Sequence, residues 1–228
     1  MEISPGITPI HETLWIAKHK ALILSDLHLG YEDSLHTKGI LVPKSQIKVI
    51  LHKLQQILEM VHPTQIIING DLKHEFGKVT SSERTQITAL LELFREQRVV
   101  FITGNHDQVL SRIRSVAEYQ LGDTLIIHGD KLTQTTCSRI IIGHEHPAIS
   151  LREKSKVEKF KCFLKGTWKG KELIALPSFN PLLEGTNVLT GHFLSPFLSD
   201  ISNFEVFIVG EQAVLPFGKI RRLQKLTL

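Results

Sequence analysis

Short apolar runs alternate with longer amphipathic stretches through residue 146. The runs are rich in β-branched residues and bounded by Gly, Asp or Asn, which is typical of buried strands. They are Ala21–Ser25, Gln65–Asn69, Arg98–Thr103, Thr124–His128 and Arg139–Ile142. Pro43–Val61 repeats its apolar residues at helical spacing, and Thr80 followed by Glu83 predicts a capping box for a second helix, Ser81 to Gln97. This alternation predicts an α/β fold in which helices cover buried strands.

The helical period is absent from residue 147 onward. Short alternating segments punctuated by Gly and Pro follow at 160–164, 172–176, 205–209 and 213–217, and they predict a second sheet. No internal repeat or linker interrupts the sequence. We therefore expect one domain over residues 1–228, with a motif-bearing core at about 21–150 and a second-sheet and basic region at about 151–228. The expected architecture is two packed sheets with helices outside.

Composition narrows the class of protein. The 228 residues are 42% hydrophobic and 22% charged, which excludes a disordered chain. No apolar run approaches the roughly 20 residues that span a bilayer, and the N-terminus lacks the pattern of a signal peptide. Cys137 and Cys162 form no CxxC pair and fit a reducing compartment. We expect a cytoplasmic globular protein with no membrane association.

Five polar clusters immediately follow the predicted strands. They are Asp26-Leu27-His28, Gly70-Asp71-Leu72-Lys73-His74, Gly104-Asn105-His106-Asp107, His128-Gly129 and Gly143-His144-Glu145-His146. In open α/β sheets, ligand sites collect beyond the carboxyl ends of strands, so clusters that are distant in sequence can converge. Turn geometry explains the Asp and Asn of one such cluster, but it does not explain why six of the 12 histidines lie in them.

The residue types in these clusters suit a pair of divalent cations. Two ions about 4 Å apart need a bridging carboxylate and further oxygen or imidazole ligands on each side, with open positions for water and substrate. Asp, His and Asn supply those ligands, whereas four cysteines would indicate a closed structural zinc site. The clusters therefore predict a two-metal hydrolytic site.

The order D-x-H, G-D-x-x-H, G-N-H-D, H-G and G-H-x-H over residues 21–150 resembles the calcineurin-like metallophosphoesterase superfamily. The resemblance implies a four-layer α-β-β-α sandwich of two mixed sheets with flanking helices. It also implies ligands for two metals, of which the first set is Asp26, His28 and His146 and the second is Asn105, His128 and His144. Asp71 would bridge both ions. Manganese is the favoured metal, with iron or zinc as alternatives.

The same resemblance implies catalytic roles for three further residues. His106 matches the superfamily's catalytic histidine, which stabilises developing charge or protonates the leaving oxygen, and Asp107 would orient it. His74 matches a histidine that lies near the substrate phosphate in nuclease-type members.

A closer resemblance is to the SbcD-related branch of small prokaryotic phosphoesterases, which are similar to the nuclease subunit of double-strand-break repair complexes. The residues that carry it are 24–32 (LSDLHLGYE), 70–76 (GDLKHEF) and 177–181 (PSFNP). This resemblance implies a DNA nuclease in repair. A DNA-repair helicase or ligase is a candidate partner, and a homodimer is a candidate oligomeric state, although the sequence does not fix the oligomeric state. The chain leaves no room for the DNA-capping domain and ATPase-tethering helices of the full-length subunits, which weakens the expectation of double-stranded end processing and of an ATPase partner.

The sequence leaves two alternatives for the role of the basic region in substrate binding. Residues 152–171 carry many more basic than acidic side chains and interleave them with Phe160, Phe163 and Trp168, a mixture that suits a phosphate backbone with unpaired bases. The candidate substrate-binding residues there are Lys154, Lys156, Lys159 and Lys161. The alternative is a hairpin whose aromatic residues face the core and whose lysines are only solvated. The basic cluster Lys219–Lys225 is expected to be a tail.

Three functions are consistent with these patterns. The first is a metal-dependent DNA nuclease in repair. The second is a phosphohydrolase that acts on nucleotides or other small phosphoesters. The third is a non-catalytic scaffold that retains the metal site, which the intact His106-Asp107 pair disfavours.

Overall fold

The computed structural model describes residues 1–107, 113–153 and 156–226. The strands are β1 (Ile7–Ile10), β2 (Thr13–Ile16), β3 (Ala21–Ser25), β4 (Gln65–Asn69), β5 (Arg98–Ile102), β6 (Ser115–Val116), β7 (Glu118–Leu121), β8 (Thr124–Ile127), β9 (Arg139–Ile142), β10 (Pro147–Glu153), β11 (Lys156–Trp168), β12 (Lys171–Ala175), β13 (Thr186–Asn187), β14 (Glu205–Val209) and β15 (Val214–Lys219). The helices are α1 (Tyr31–Thr37), α2 (Gln46–Val61), α3 (Ser81–Leu93) and α4 (Ile220–Leu226).

Within the described residues, the strands form two mixed sheets. The first has the order β1-β2-β3-β4-β5-β6, in which β3 to β6 are parallel and β1 and β2 are antiparallel additions. The second has the order β13-β10-β11-β12-β9-β8-β7, with β14 beside β11 and β15 beside β14. Strands β8, β9 and β12 are parallel to one another.

Alternation along the strands places apolar side chains on both faces of each sheet. Between the sheets lies a shared core that includes Ile23, Ile67, Ile141 and Ile174. Helices α2 and α3 cover the outer face of the first sheet. The outer face of the second sheet is covered by α4 and the irregular segment 188–204. The predicted four-layer architecture is confirmed, and its fourth layer contains one short helix.

The predicted central elements are confirmed with small changes at their ends. Strands β3, β4 and β9 have the predicted bounds, and β5 and β8 end one residue early. The capping box is present, since the Glu83 N–H donates to Thr80 Oγ1 at 3.1 Å and the Thr80 N–H donates to Glu83 Oε2 at 2.8 Å. Helix α2 begins at Gln46 rather than at Pro43, and α3 ends at Leu93 rather than at Gln97.

Two expectations about the C-terminal half were wrong. The second sheet begins at β7, well before residue 147, because β8 and β9 belong to it and not to the first sheet. The basic cluster Lys219–Lys225 is not a tail, because Lys219 ends β15 and the rest lies on α4, where Ile220 and Leu223 are buried against the second sheet. The single-domain organisation stays a prediction, which the shared core supports. No helix in the described ranges is long and apolar enough to cross a membrane.

A hairpin of the second sheet extends past the carboxyl end of β12. Leu164 of β11 pairs with Ala175, the last residue of β12, and the earlier part of β11 continues beyond it along β10. The six paired positions from Lys161 to Lys156 span roughly 17 Å at the usual rise per residue. We call residues 148–153 and 156–161 the hairpin arm. Because β10 begins directly after His146, the base of this arm lies beside the histidine motifs.

Candidate metal centre

The predicted ligands follow strands that end at one edge of the two packed sheets. Parallel strands carry their polar residues to the same edge, so the motifs after β3, β4 and β5 meet those after β8 and β9. The donor atoms of two groups each lie within 4.8 Å of one another, and the groups are Asp26, His28 and His146, and Asp71, His128 and His144. Asn105 Oδ1 lies 3.0 Å from His128 Nε2, beside the second group. All seven candidate ligands are therefore brought together.

Asp71 lies between the two groups. Its Oδ2 atom is 3.6 Å from His28 Nε2 in the first group and 3.4 Å from His128 Nε2 in the second. Asp26 serves the first group, with its Oδ1 atom 3.3 Å from His146 Nε2. Among the described residues, Asp71 is thus placed as a bridging carboxylate would be.

The arrangement of donors fits divalent cations. His28 Nε2 and His146 Nε2 face each other at 3.4 Å, and His144 Nδ1 faces His128 Nε2 at 3.2 Å. Two imidazole nitrogens that face each other share at most one proton, so at least one nitrogen of each pair has a free lone pair. These lone pairs point into the space that the carboxylates of Asp26 and Asp71 also border. Buried carboxylates need a compensating positive charge, which cations would supply. Imidazole and oxygen donors together suit manganese, iron or zinc.

The ionisation of the ligands follows from this crowding. Burial would raise the pKa of Asp71, but its contacts with His128 lower that pKa instead. Burial would lower the pKa of His128, but the carboxylates of Asp71 and Asp26 raise it to about 9. Burial and the neighbouring His146 lower the pKa of His28 to about 3. Burial would also raise the pKa of Asp26, but His146 and His128 lower it. Both carboxylates thus remain ionised, and a cation would take the place of the proton on His128.

The backbone of the site is strained where ligands are attached. The left-handed residues with a β-carbon include Asp26 (φ 57°), His28 (φ 42°), Asp71 (φ 45°), His144 (φ 66°) and His146 (φ 50°). Non-glycine residues seldom adopt this conformation, and its concentration at a site indicates function. Glycine is needed at position 104 so that the loop after β5 can lie close to Asp71, because a β-carbon there would be 2.2 Å from Asp71 Oδ1. The glycines of the motifs therefore let ligand-bearing turns pack against each other.

His106 lies beside the two groups of candidate ligands, and one of its ring nitrogens is hydrogen-bonded to the backbone. Its Nδ1–H donates to the backbone carbonyl of His74, and its Nε2 lies 4.0 Å from Asp71 Oδ2. His74 and His28 approach through their Nδ1 atoms at 3.4 Å. His28, His74 and His106 form a third group of donors that lacks a carboxylate. The Nε2 atom of His106 therefore points toward the space beside Asp71.

Asp107 does not orient His106 as expected. Its carboxylate accepts hydrogen bonds from the backbone N–H groups of Leu72 at 3.0 Å, Gly104 at 3.1 Å and Lys73 at 3.4 Å. These bonds tie the loop after β4 to the loop after β5. Asp107 thus positions the turn that carries Asp71, and the carbonyl of His74 holds the imidazole of His106 instead.

The sequence profile of a family described as calcineurin-like phosphoesterase matches residues 19–210. This chain belongs to that family. It is a metal-dependent phosphoesterase, a hydrolase of phosphate esters.

Two solved structures are similar to this calcineurin-like phosphoesterase. One is a Pseudomonas putida nuclease, MPE, with a TM-score of 0.70 and 19% sequence identity over 95% of this chain and 98% of that chain. The other is Yfce, a phosphoesterase from E. coli, with a TM-score of 0.43 and 12% identity over 87% of this chain and 98% of that chain. A search of the curated proteins gives no match.

The loop after β12 secures the first ligand turn of the phosphoesterase, a role that the sequence did not reveal. Ser178 Oγ donates to the carbonyl of Asp26 at 2.7 Å, and Asn180 Nδ2 donates to the carbonyl of Leu27 at 3.0 Å. The Phe179 N–H donates to the carbonyl of Ser25 at 2.9 Å. The PSFNP motif at residues 177–181 could have revealed this role. It contributed to the resemblance to the SbcD-related branch, but no function was assigned to its residues.

Lys161 is an anchor of that loop rather than a free surface lysine. Its ammonium group donates to the carbonyls of Ser178 (2.7 Å) and Asn180, and burial lowers its pKa to about 8. Two of the three N–H donors of Lys161 are therefore used inside the protein, which argues against the expected contact with substrate.

The other lysines of the hairpin arm differ from Lys161. Lys156 and Lys159 are exposed, and each forms an ion pair, with Glu158 at 2.5 Å and Glu184 at 3.6 Å respectively. Lys154 lies outside the described residues. The nearby aromatic residues pack inward, with Phe163 buried between the sheets and Phe160 and Trp168 against the outer core. The arm thus presents charge rather than aromatic surface to solvent.

We predict that Lys161→Met reduces hydrolysis of a small chromogenic phosphodiester and of DNA by the same factor. The substitution leaves two carbonyls without their donor, which costs roughly 1–3 kcal/mol, and loosens the turn that carries Asp26. Steady-state kinetics and urea unfolding measure these effects. Lys156→Met is the matched control and should leave both the small-diester activity and the unfolding midpoint unchanged. Loss of DNA cleavage alone in Lys161→Met would instead place Lys161 against the substrate.

Proposed function

We propose that this phosphoesterase uses two divalent metal ions to hydrolyse phosphodiester bonds in DNA. The observation that carries the two-metal proposal is the position of Asp71 Oδ2, within 3.6 Å of His28 Nε2 and 3.4 Å of His128 Nε2. One carboxylate oxygen shared by two sets of imidazoles is the arrangement that a dinuclear hydrolase needs.

The ligand roles follow the two groups of donors. The first ion would be held by Asp26, His28 and His146, the second by Asn105, His128 and His144, and Asp71 would serve both. When bound, such ions supply Lewis acidity and an activated water for attack on phosphorus. We favour manganese, which tolerates this mixture of oxygen and imidazole ligands.

His106 is proposed as the group that acts on the substrate. With its Nδ1–H held by the carbonyl of His74, a protonated ring directs the Nε2–H toward the space beside Asp71. From there it can donate a hydrogen bond to the charge that develops on the phosphate, or a proton to the leaving oxygen. His74, whose ring lies 5.6 Å from that of His106, is proposed to contact the same phosphate.

DNA is the proposed substrate because the hairpin arm extends basic side chains past the metal centre. Arg152 and Lys159 are exposed on one face of the arm and Lys156 on the other, so a polymer that extends from the metal centre along the arm meets basic side chains. A protein of the same fold, the Pseudomonas putida MPE, is a nuclease. A place in DNA repair, a helicase or ligase partner and a homodimer remain predictions.

A small-molecule or nucleotide phosphohydrolase is the second candidate. It is favoured by the ion pairs of the arm, since Glu158 and Glu184 neutralise part of the positive charge that would attract a polymer. The metal centre would serve either substrate equally well, so the arm decides between the two.

The bridging role of Asp71 predicts that Asp71→Asn abolishes phosphodiester hydrolysis and reduces bound metal from about two ions to one or none. An amide oxygen is neutral and cannot balance two cations. Elemental analysis of the purified variant measures the metal content. Asp123→Asn, which alters an exposed carboxylate bound to Ser138, is the control and should keep both metal and activity. Full metal occupancy and normal activity in Asp71→Asn would contradict the dinuclear proposal.

His106 should affect turnover without affecting metal. We expect His106→Ala to lower kcat by about two orders of magnitude or more, while the metal content stays near that of the wild type. Parallel kinetics and elemental analysis separate the two effects, with His52→Ala on the exposed face of α2 as the control. Loss of metal together with activity would reassign His106 as a ligand.

The arm is tested by charge reversal at Lys156 and Lys159. Each lost phosphate contact removes counterion release, so the double Glu variant should bind single-stranded DNA more weakly and reduce the slope of log K against log salt by about 0.7 per contact. Hydrolysis of a small chromogenic diester should be unchanged, because that substrate needs only the metal centre. The double variant Lys18→Glu with Lys48→Glu, at two exposed positions outside the arm, controls for net charge. Unchanged DNA binding in the double variant would favour the phosphohydrolase.

A further inference from the structure

The loop after β4 presents an aromatic ring beside His106. Phe76 is 68% exposed and is the most exposed aromatic side chain in the described part of the chain. Its ring stacks on the imidazole of His106, with the centroids 4.0 Å apart and the planes 27° from parallel. A single exposed phenylalanine on a protein surface needs no explanation. Phe76, however, stacks on His106, the proposed proton donor, so its ring lies where a bound substrate can contact it.

Three aromatic contacts link this ring to the histidines of the site. Phe76 stacks on His106, and His106 is in turn near-parallel to His74, at 28° with centroids 5.6 Å apart. Tyr31 makes an edge contact with His74 at 4.7 Å. One face of Phe76 is occupied by His106, and its exposure shows that the other face is open to solvent. The next position in the stack suits another planar group.

The loop that carries Phe76 is held by hydrogen bonds of the three residues just before it. The His74 N–H donates to the carbonyl of Leu29 at 2.9 Å, and the Lys73 ammonium donates to the carbonyl of Glu75. The Glu75 N–H donates to Glu83 Oε1 at 3.4 Å, and Glu83 is itself fixed by the capping box of α3. A ring on such a loop loses little conformational freedom when a ligand stacks on it.

We propose that the open face of Phe76 is a subsite for a nucleobase of the nucleotide next to the scissile phosphate. A phosphate beside His106 places the base of the same nucleotide within reach of this ring, because one sugar carries both groups. Stacking on an aromatic face tolerates every base, which suits a phosphoesterase that selects nucleotides without selecting sequence. The subsite rests on the proposed function, in which a nucleic-acid phosphodiester occupies the metal centre, and it adds preference for nucleoside esters over simple alkyl esters.

Three esters with the same leaving group test this subsite. They are thymidine 5′-(p-nitrophenyl phosphate), thymidine 3′-(p-nitrophenyl phosphate) and methyl p-nitrophenyl phosphate. The wild type should hydrolyse one thymidine isomer with a kcat/KM about tenfold above that of the methyl ester, the change expected from one base–aromatic stack. Phe76→Ala should remove this preference, and Phe76→Trp should keep it. Phe217→Ala, which truncates another exposed phenylalanine on β15, should leave the ratio unchanged.

Two results would overturn the subsite. The first is a wild-type enzyme that shows no preference for either thymidine ester. The second is an equal loss on all three esters in Phe76→Ala, which would mean that Phe76 only positions His106. Cleavage of a single-stranded oligonucleotide by the wild type tests the DNA proposal separately. A retained thymidine preference without oligonucleotide cleavage would keep the subsite and make nucleotide-sized diesters the substrates.

Discussion

The structure depends on the burial of two carboxylates, Asp26 and Asp71, at the edge where the two sheets meet. Each is at most 2% exposed, and an ionised carboxylate in such a place is stable only when positive charge or hydrogen-bond donors surround it. The ring of histidines meets that requirement in part, because the carboxylates of Asp71 and Asp26 raise the pKa of His128 against the effect of burial. The close turns, the glycines and the left-handed ligands all follow from crowding so many polar groups together.

The crowded turns are held in place by residues that are not candidate metal ligands themselves. Asp107 joins the turns after β4 and β5 through backbone N–H groups, and Ser178 and Asn180 hold the turn after β3 from the second sheet. Lys161 in turn holds the loop of Ser178. The ligands of the first sheet therefore keep their positions because the second sheet and its loops are folded around them.

Much of this could be predicted because it depends on local pattern. β-Branched runs identified the central strands, and the placement of Asp, Asn and His after them predicted which side chains converge. The hydrogen-bond partners of Asp107 and Lys161 could not be predicted. They are backbone groups of loops distant in sequence, and local sequence pattern does not show which loops meet in the folded chain. The helix α4 was missed because Ile220 and Leu223 give too short an apolar pattern among basic residues. Strands β1 and β2 were missed for the same reason, with four residues each.

The metal centre and the choice of substrate are separated in this architecture. The candidate ligands are mostly buried and tied to one another, so a change in any of them disturbs the rest. Phe76 and the hairpin arm instead lie at the rim, one on a loop of the first sheet and the other in the second sheet. Loops of both sheets border Asp71, so in the proposed function surfaces from both sheets are available to the groups on either side of a bound phosphate. Substrate preference can therefore change through exposed residues while the hydrolytic chemistry stays intact.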